Sequence, residues 1–222
     1  MCVINCFKWA AKNITPKEIE GKRVIEVGSY DVNGSLRYVM EMLKPAEYIG
    51  VDMVEGPGVD MVCDASNLAE KFGRESFDVL IATCVLEHVK DWKTAVTNIK
   101  NICKKGGIIY VIVPSQFPYH GFPYDFWRYK KEDIEAIFSD FQIVALEEDL
   151  QNPKTVYAKL KKPANYEAND LTDYELYSIV TKRRQKQIED KDMRSLYFRC
   201  IVIREKLRDL LLKIGKAMFP EI

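Results

Sequence analysis

Short apolar runs that stop abruptly at a glycine or an acid constrain this chain most. Arg23–Val27 (RVIEV) ends at Gly28, Tyr48–Val51 (YIGV) at Asp52 and Val59–Val62 at Cys63-Asp64. Phe77–Ala82 (FDVLIA) and Ile108–Val113 (IIYVIV) follow. Each is too short for a helix and lacks a strict apolar/polar alternation, so each reads as a strand buried on both faces. Helical stretches lie between them: Ser35–Leu43 stopped by Pro45, Asn67–Phe72, Asp91–Cys103 with Asp91 as N-cap, and Lys131–Phe138. Thr15-Pro16-Lys17-Glu18 is a further helix start, and residues 1–14 are weakly helical. Phe141–Leu146 and Thr155–Leu160 add two strands. Strands alternating with helices predict an α/β fold, a doubly wound, mostly parallel sheet with helices on both faces.

The chain of 222 residues, 47% of them hydrophobic, suffices for one main domain and a tail. We expect a domain over 1–162, a linker at 163–170 (PANYEAND), and from Leu171 a charged helical segment with no strand, completing a tail over 163–222. Net charge is zero, but residues 181–222 carry twelve Lys/Arg against six Asp/Glu, so only the tail invites an electrostatic partner. Ile203, Leu207, Leu210, Leu211, Ile214 and Met218 repeat there at helical spacing. The plain reading is a helix packed on the body or on a second subunit of a homodimer. Sharper readings are a helix lying on a membrane surface or an RNA-binding patch, and Glu205 and Asp209 argue against nucleic acid. Six cysteines without a CxxC, no apolar run long enough to span a bilayer and no secretory h-region predict a reduced, cytoplasmic protein.

In a sheet of this kind, ligands bind beyond the carboxyl ends of the strands. The first such loop, Gly28-Ser29-Tyr30 through Gly34-Ser35, is not G-x-G-x-x-G, because Tyr30 occupies the position where a pyrophosphate needs close backbone approach. A dinucleotide is disfavoured, and a ligand without phosphate fits better. Asp52, 24 residues after Gly28, is suited to accept from both hydroxyls of a ribose. Asp64, after the third strand, is suited to accept from an exocyclic amine such as that of adenine. Thr83-Cys84 follow the fourth strand, ahead of Leu86-Glu87-His88-Val89. Cys63 and Cys84 read as small packing residues rather than nucleophiles, and His88 as a residue that caps or packs a helix start.

EVGSYDVNGS, YIGVD, MVCDA, FDVLIATCVLEHV and GGIIYVIVP together resemble the class I S-adenosylmethionine-dependent methyltransferases, in particular the group called methyltransferase type 11, over about residues 22–160. The resemblance implies a seven-stranded Rossmann-like sheet with one antiparallel terminal strand, and S-adenosylmethionine as cofactor. It implies that Glu26 and Gly28 line the methionine moiety, with Ser29, Tyr30 and Gly34 in the same loop. Asp52 and its neighbour Met53 would meet the ribose, Asp64 with Cys63 and Ala65 the adenine, and Thr83 and Cys84 the methionine end. Tyr30 departs from the second glycine that many members carry.

Such a donor arrives activated, so the protein must align the acceptor, exclude water and often remove a proton. The stretch after the fifth strand, Pro114 to Tyr129, is dense in aromatics and resembles an H-x-x-P-x-D-x-W-R outline found in many members of the group. His120 is the candidate base for a hydroxyl acceptor, Asp125 the residue that orients it, and Arg128 a neighbour with either a substrate or an ion-pair role. The stretch has too few carboxylates to suggest a metal. The expected function is O-methylation of a small-molecule or glycan-type acceptor. The alternatives are methylation of RNA or another macromolecule, and a non-catalytic cofactor-binding scaffold.

Overall fold

Val24 and Ile25 are adjacent in sequence but belong to different cores, because successive side chains of a strand point to opposite faces. The same alternation separates Val79 and Ile81 from Leu80 and Ala82, and Tyr110 and Ile112 from Ile109, Val111 and Val113. In a computed structural model that describes residues 4–32, 34–121, 124–150 and 154–218, these strands form the centre of a sheet covered on both sides. Asn33 of the first loop, Phe122 and Pro123 of the aromatic stretch, and the side chain of Met218 lie outside the described residues.

The elements follow in chain order. Helices α1 (Ile4–Asn13) and α2 (Pro16–Ile19) precede strand β1 (Arg23–Val27), and α3 (Arg37–Met42) leads to β2 (Glu47–Asp52) and β3 (Met61–Val62). Helix α4 (Leu68–Phe72), β4 (Phe77–Thr83), α5 (Trp92–Ile102) and β5 (Cys103–Gln116) come next. Then come β6 (Trp127–Arg128), α6 (Lys131–Ile137), β7 (Gln142–Asp149) and β8 (Lys154–Lys161). The chain ends with β9 (Leu176–Ser178), β10 (Arg183–Gln185), α7 (Asp190–Met193) and α8 (Leu196–Met218).

The large sheet has the order β3-β2-β1-β4-β5-β8-β7, so strand order reverses between β1 and β4. Pairing is parallel from β3 to β5, and β8, the last of these strands in the chain, runs antiparallel to both its neighbours. Helix α5 shows why the faces close. Trp92, Ala95, Val96, Ile99 and Ile102 recur at helical spacing and are buried, and the Asp91 carboxylate caps the first turn by accepting from Thr94 N–H at 3.2 Å. The start of α2 is closed by Glu18, whose Oε2 accepts from Thr15 N–H at 3.0 Å.

Two expectations for the C-terminal part need correction. The chain beyond Leu171 is not free of strand: β9 and β10 form a small antiparallel sheet with β6, order β10-β9-β6. Strands of two and three residues are held by Trp127, Leu176 and Val180 entering the main core, and no sequence period reports them. The apolar stripe of α8 also does not pack on the body. Phe198 is buried and contacts Tyr119 and Tyr124, but Ile203, Leu207, Leu210, Leu211 and Ile214 are 45–67% exposed. No helix among the described residues is long and apolar enough to cross a membrane.

Candidate active site

The carboxyl ends of β1 and β4 meet where strand order reverses. Gly28 adopts φ +78°, and a Cβ there would lie 2.5 Å from Val85 Cβ, so this turn needs glycine for both conformation and space. Gly28 and Ser29 donate backbone N–H to Val51 O, which ties the loop to β2. Tyr30 finds its space at another glycine: a Cβ on Gly56 would sit 2.1 Å from the Tyr30 ring. Tyr30 N–H points to Asp52 Oδ2 at 3.3 Å, and Val54 N–H to Asp52 Oδ1 at 3.2 Å. Gly34 N–H donates to Asp31 Oδ1 at 2.7 Å. Met53 is 57% exposed at the rim beside Asp52.

Glu26 is buried, and its Oε2 accepts from Tyr48 OH at 2.6 Å and Ser35 OH at 3.0 Å. Burial raises its pKa above the ordinary carboxylate value, and the two hydroxyl donors only partly oppose this. Asp64 caps the short turn that follows β3, with Oδ1 accepting from Ser66 N–H at 2.7 Å. Cys63 and Ala65, on either side, are buried. Cys84 takes a left-handed φ of +51° at the end of β4. A hydrogen bond with Cys6 and then burial hold its thiol well above the usual range, so it is no thiolate at neutral pH. Burial raises the Cys63 thiol as well.

Two hydroxyls at these strand ends, Ser29 Oγ and Thr83 Oγ1, are buried with no hydrogen-bond partner. An orphaned hydroxyl costs stability unless a ligand satisfies it. Both stand at the carboxyl ends of β1 and β4, next to the Gly28 turn. The residues therefore fit a polar, phosphate-free ligand lying across β1 and β4.

The loop after β5 folds back over the same edge. Asp125 and Arg128 are both buried, and the two Asp125 oxygens accept from Arg128 Nη1 and Nη2 at 2.6 Å each. Arg128 also donates to the carbonyl oxygens of Phe117, Pro118 and Trp127, so its whole fork is engaged in holding the loop. Burial opposes ionisation of Asp125, but hydrogen bonds from Arg128 and His120 outweigh it and hold the carboxyl well below its usual range. His120 Nδ1 lies 2.9 Å from Asp125 Oδ2, and His120 N–H donates to the same oxygen at 3.0 Å.

Two further residues converge there. His88 ends the turn Leu86–His88, and its ring lies edge-on to His120 with centroids 5.1 Å apart. Glu87, fully buried, directs its carboxylate between the two rings, 3.9 Å from each Nε2. The sequence showed Glu87 and His88 as part of one motif, but nothing in it brought His120 to them. Phe117, whose ring packs against His120 at 4.6 Å, also lines a cavity of about 590 Å³ with Ser115, Arg128, Tyr177 and Ile179.

A family profile described as a methyltransferase domain matches residues 7–152. No curated protein matches the chain significantly. Among solved structures, an S-adenosylmethionine-dependent methyltransferase from Mesorhizobium loti superposes with a TM-score of 0.51 at 16% identity, covering 72% of this chain and 98% of its own. The CurJ carbon methyltransferase gives 0.53 at 15%, covering 72% and 52%. The [4+2]-cyclase SpnF gives 0.56 at 14%, covering 72% and 80%. At such identities the likeness is one of fold.

Proposed function

This chain belongs to the methyltransferase-domain family, and from that premise we propose that it methylates an oxygen of a small-molecule or glycan-type hydroxyl acceptor. It is an S-adenosylmethionine-dependent methyltransferase; the acceptor and the atom methylated are our reading. When bound, the cofactor supplies a methyl group already activated on a sulfonium. In this reading Asp52 accepts from the ribose hydroxyls and Asp64 from the adenine amine. Ser29 and Thr83 offer the methionine end the hydroxyls that lack a partner within the chain, with Glu26 behind them. Met53, Cys63 and Ala65 complete the wall.

The observation that carries the oxygen assignment is the convergence of Glu87, His88 and His120. One ligand atom of each lies within 4.8 Å of the others, and among the described residues neither Glu87 oxygen has a hydrogen-bond partner. A hydroxyl can donate its proton into such a cluster as its oxygen attacks the methyl carbon, and proton removal of this kind contributes about 10²–10⁴-fold. Asp125 holds the His120 ring, and Arg128 holds Asp125, so both are positioning residues. A cavity walled by Phe117 is of a size that suits a small ligand.

The test is release of S-adenosylhomocysteine from the full chain across a panel of sugars, phenols, lipids and RNA. Turnover with a hydroxylated small molecule or glycan, and a product methylated at oxygen, is the expected result. Turnover confined to RNA, or a methyl group on carbon or nitrogen, would overturn the reading.

A further inference from the structure

The Glu87 carboxylate is fully buried, yet neither of its oxygens has a hydrogen-bond donor. Burying an ionised group without a partner is strongly unfavourable. The two imidazoles beside it do not relieve this. His88 Nδ1 lies 2.8 Å from Tyr124 O, a carbonyl that can only accept, so Nδ1 carries the hydrogen. His120 Nδ1 faces two acceptors, Asp125 Oδ2 at 2.9 Å and Pro118 O at 3.2 Å, so it carries a hydrogen too. These partners assign the tautomers. Nε2 of each ring is then the atom turned toward Glu87 Oε1, at 3.9 Å in both cases, and a ring with its hydrogen on Nδ1 alone presents a lone pair there. One atom from each of the three residues lies within 4.8 Å of the others.

Lone pairs pointed at lone pairs in a buried site are repulsive unless a cation lies between them. We propose that Glu87, His88 and His120 bind a single divalent metal ion of the borderline class that takes imidazole and carboxylate together, such as zinc, manganese or iron(II). Three features support this reading. The donor set is two imidazole nitrogens and one carboxylate oxygen. Each imidazole gives its other N–H to a carbonyl or carboxylate, the outer support that fixes a metal-binding histidine. Ligand atoms bound at about 2.1 Å stand about 3–3.4 Å apart, so the two Glu87–histidine gaps of 3.9 Å need to close by less than an ångström, and all three ligand atoms already lie within 4.8 Å of one another.

The rings remain 22% and 15% exposed, which leaves a way in for the ion and for a further ligand. Three protein ligands leave at least one coordination position open. Resting on the hydroxyl-acceptor reading, an acceptor oxygen that occupies this position would give up its proton, passed to solvent at the exposed edge of the site, more readily than an uncoordinated hydroxyl. His120 would then hold the ion rather than take the proton.

Metal binding is measured without any acceptor, by equilibrium dialysis of the full chain, stripped with chelator, against Zn²⁺ and Mn²⁺ in turn. One equivalent of either ion should bind, and thermal stability should rise with it. Glu87→Gln and His120→Gln should each weaken binding by at least tenfold, and Asp125→Asn by about 10–100-fold through the loss of outer support. Cys63→Ser and Cys84→Ser should leave it unchanged. Failure of both ions to bind at millimolar concentration, or equal affinity in Glu87→Gln, overturns the site and leaves protons as the cation of the cluster. His88→Gln serves the same purpose if either variant fails to fold, judged by circular dichroism and S-adenosylmethionine affinity. Turnover that persists in chelator while the metal still binds supports the site and overturns its link to the acceptor.

Discussion

Two buried polar clusters in this protein have opposite properties. On one face of the sheet Lys100 and Asp140 are both almost fully buried, and Lys100 Nζ donates to both Asp140 oxygens at 2.7 and 2.9 Å, to Ile137 O at 2.6 Å and to Asn169 Oδ1 at 2.8 Å. Asn169 then returns two N–H donors to Ala136 O, Ile137 O and Ser139 Oγ. Charge is paired and every donor has an acceptor, so this cluster ties α5, α6 and the segment at 163–170 together and leaves nothing for a ligand. At the carboxyl edge, fully buried Glu87 converges with the part-exposed His88 and His120, and neither of its oxygens has a hydrogen-bond partner among the described residues. A satisfied buried cluster holds the fold, whereas one left unsatisfied costs the fold free energy and is explained by what it binds.

The largest expected effect lies in the satisfied cluster. Lys100→Met strands the Asp140 carboxylate in the interior, and breaking a buried pair from one side costs about 3–5 kcal/mol. Chemical denaturation should show that loss with cofactor affinity unchanged in the fraction that remains folded. A variant within 1 kcal/mol of wild type would remove the contrast.

Asp52 is intermediate, partly bonded through long contacts from Tyr30 and Val54 and open on its outer side. Asp52→Ala should weaken S-adenosylmethionine binding by about ten- to a hundredfold, the cost of about 1.5–3 kcal/mol for a lost charge-assisted hydrogen bond. Calorimetric titration measures it, and unchanged affinity would sink the ribose assignment.

What the sequence made legible depends on distance along the chain. Glu26, Gly28, Asp52, Asp64 and Thr83 each lie at or just past the end of a strand, so the pattern of strands was enough to bring them to one edge. The two-sided apolar runs also carried the sheet, because each strand announces its own burial. The aligned histidines could not be read this way. His120 reaches Glu87 only because the loop after β5 is folded back by the Asp125–Arg128 pair, a tertiary path with no local period. His88 read as a helix-start residue because its ring's direction is set by Tyr124 O, 36 residues away. The small sheet of β6, β9 and β10 was hidden because its strands are only two or three residues long, and β6 is paired with β9 across about fifty positions.

Glu26 sharpens the comparison through pH. Burial raises its folded pKa, and the Tyr48 and Ser35 hydroxyls and the Arg37 charge only partly oppose this. A raised folded pKa means that its contribution to stability is fully present below the unfolded value near 4.3 and is lost as pH rises through the folded one. Stability of the cofactor-free protein should therefore fall with a slope of up to about 1.4 kcal/mol per pH unit above that value, and Glu26→Gln should flatten this component. Denaturation midpoints across a pH series, wild type against variant, check the sign.

Glu87→Gln should have a smaller effect, and in the direction opposite to Lys100→Met. The amide keeps the shape of the side chain and supplies the donor that the carboxylate lacks. In chelator the variant should be more stable than wild type by about 1 kcal/mol. A loss of stability would mean that the carboxylate has partners, and the contrast between the two clusters would fail.

The exposed stripe of α8 should give the smallest effect. Phe198 anchors the start of the helix against Tyr119 and Tyr124, and Glu205 is buried beside Arg208, but Leu207, Leu210 and Leu211 present apolar surface to solvent. Surface changes away from packed features are worth about 0.5 kcal/mol or less. Leu207→Ser with Leu211→Ser should therefore leave the denaturation midpoint of the monomer unchanged within that limit. The same double variant distinguishes what the stripe does. If it seats a second copy of the chain, sedimentation velocity of the wild type will show a dimer that the variant lacks. If it lies on anionic lipid, vesicle co-sedimentation will fall instead. A midpoint lowered by more than about 1 kcal/mol in a protein that stays monomeric would mean that the stripe packs on the body after all.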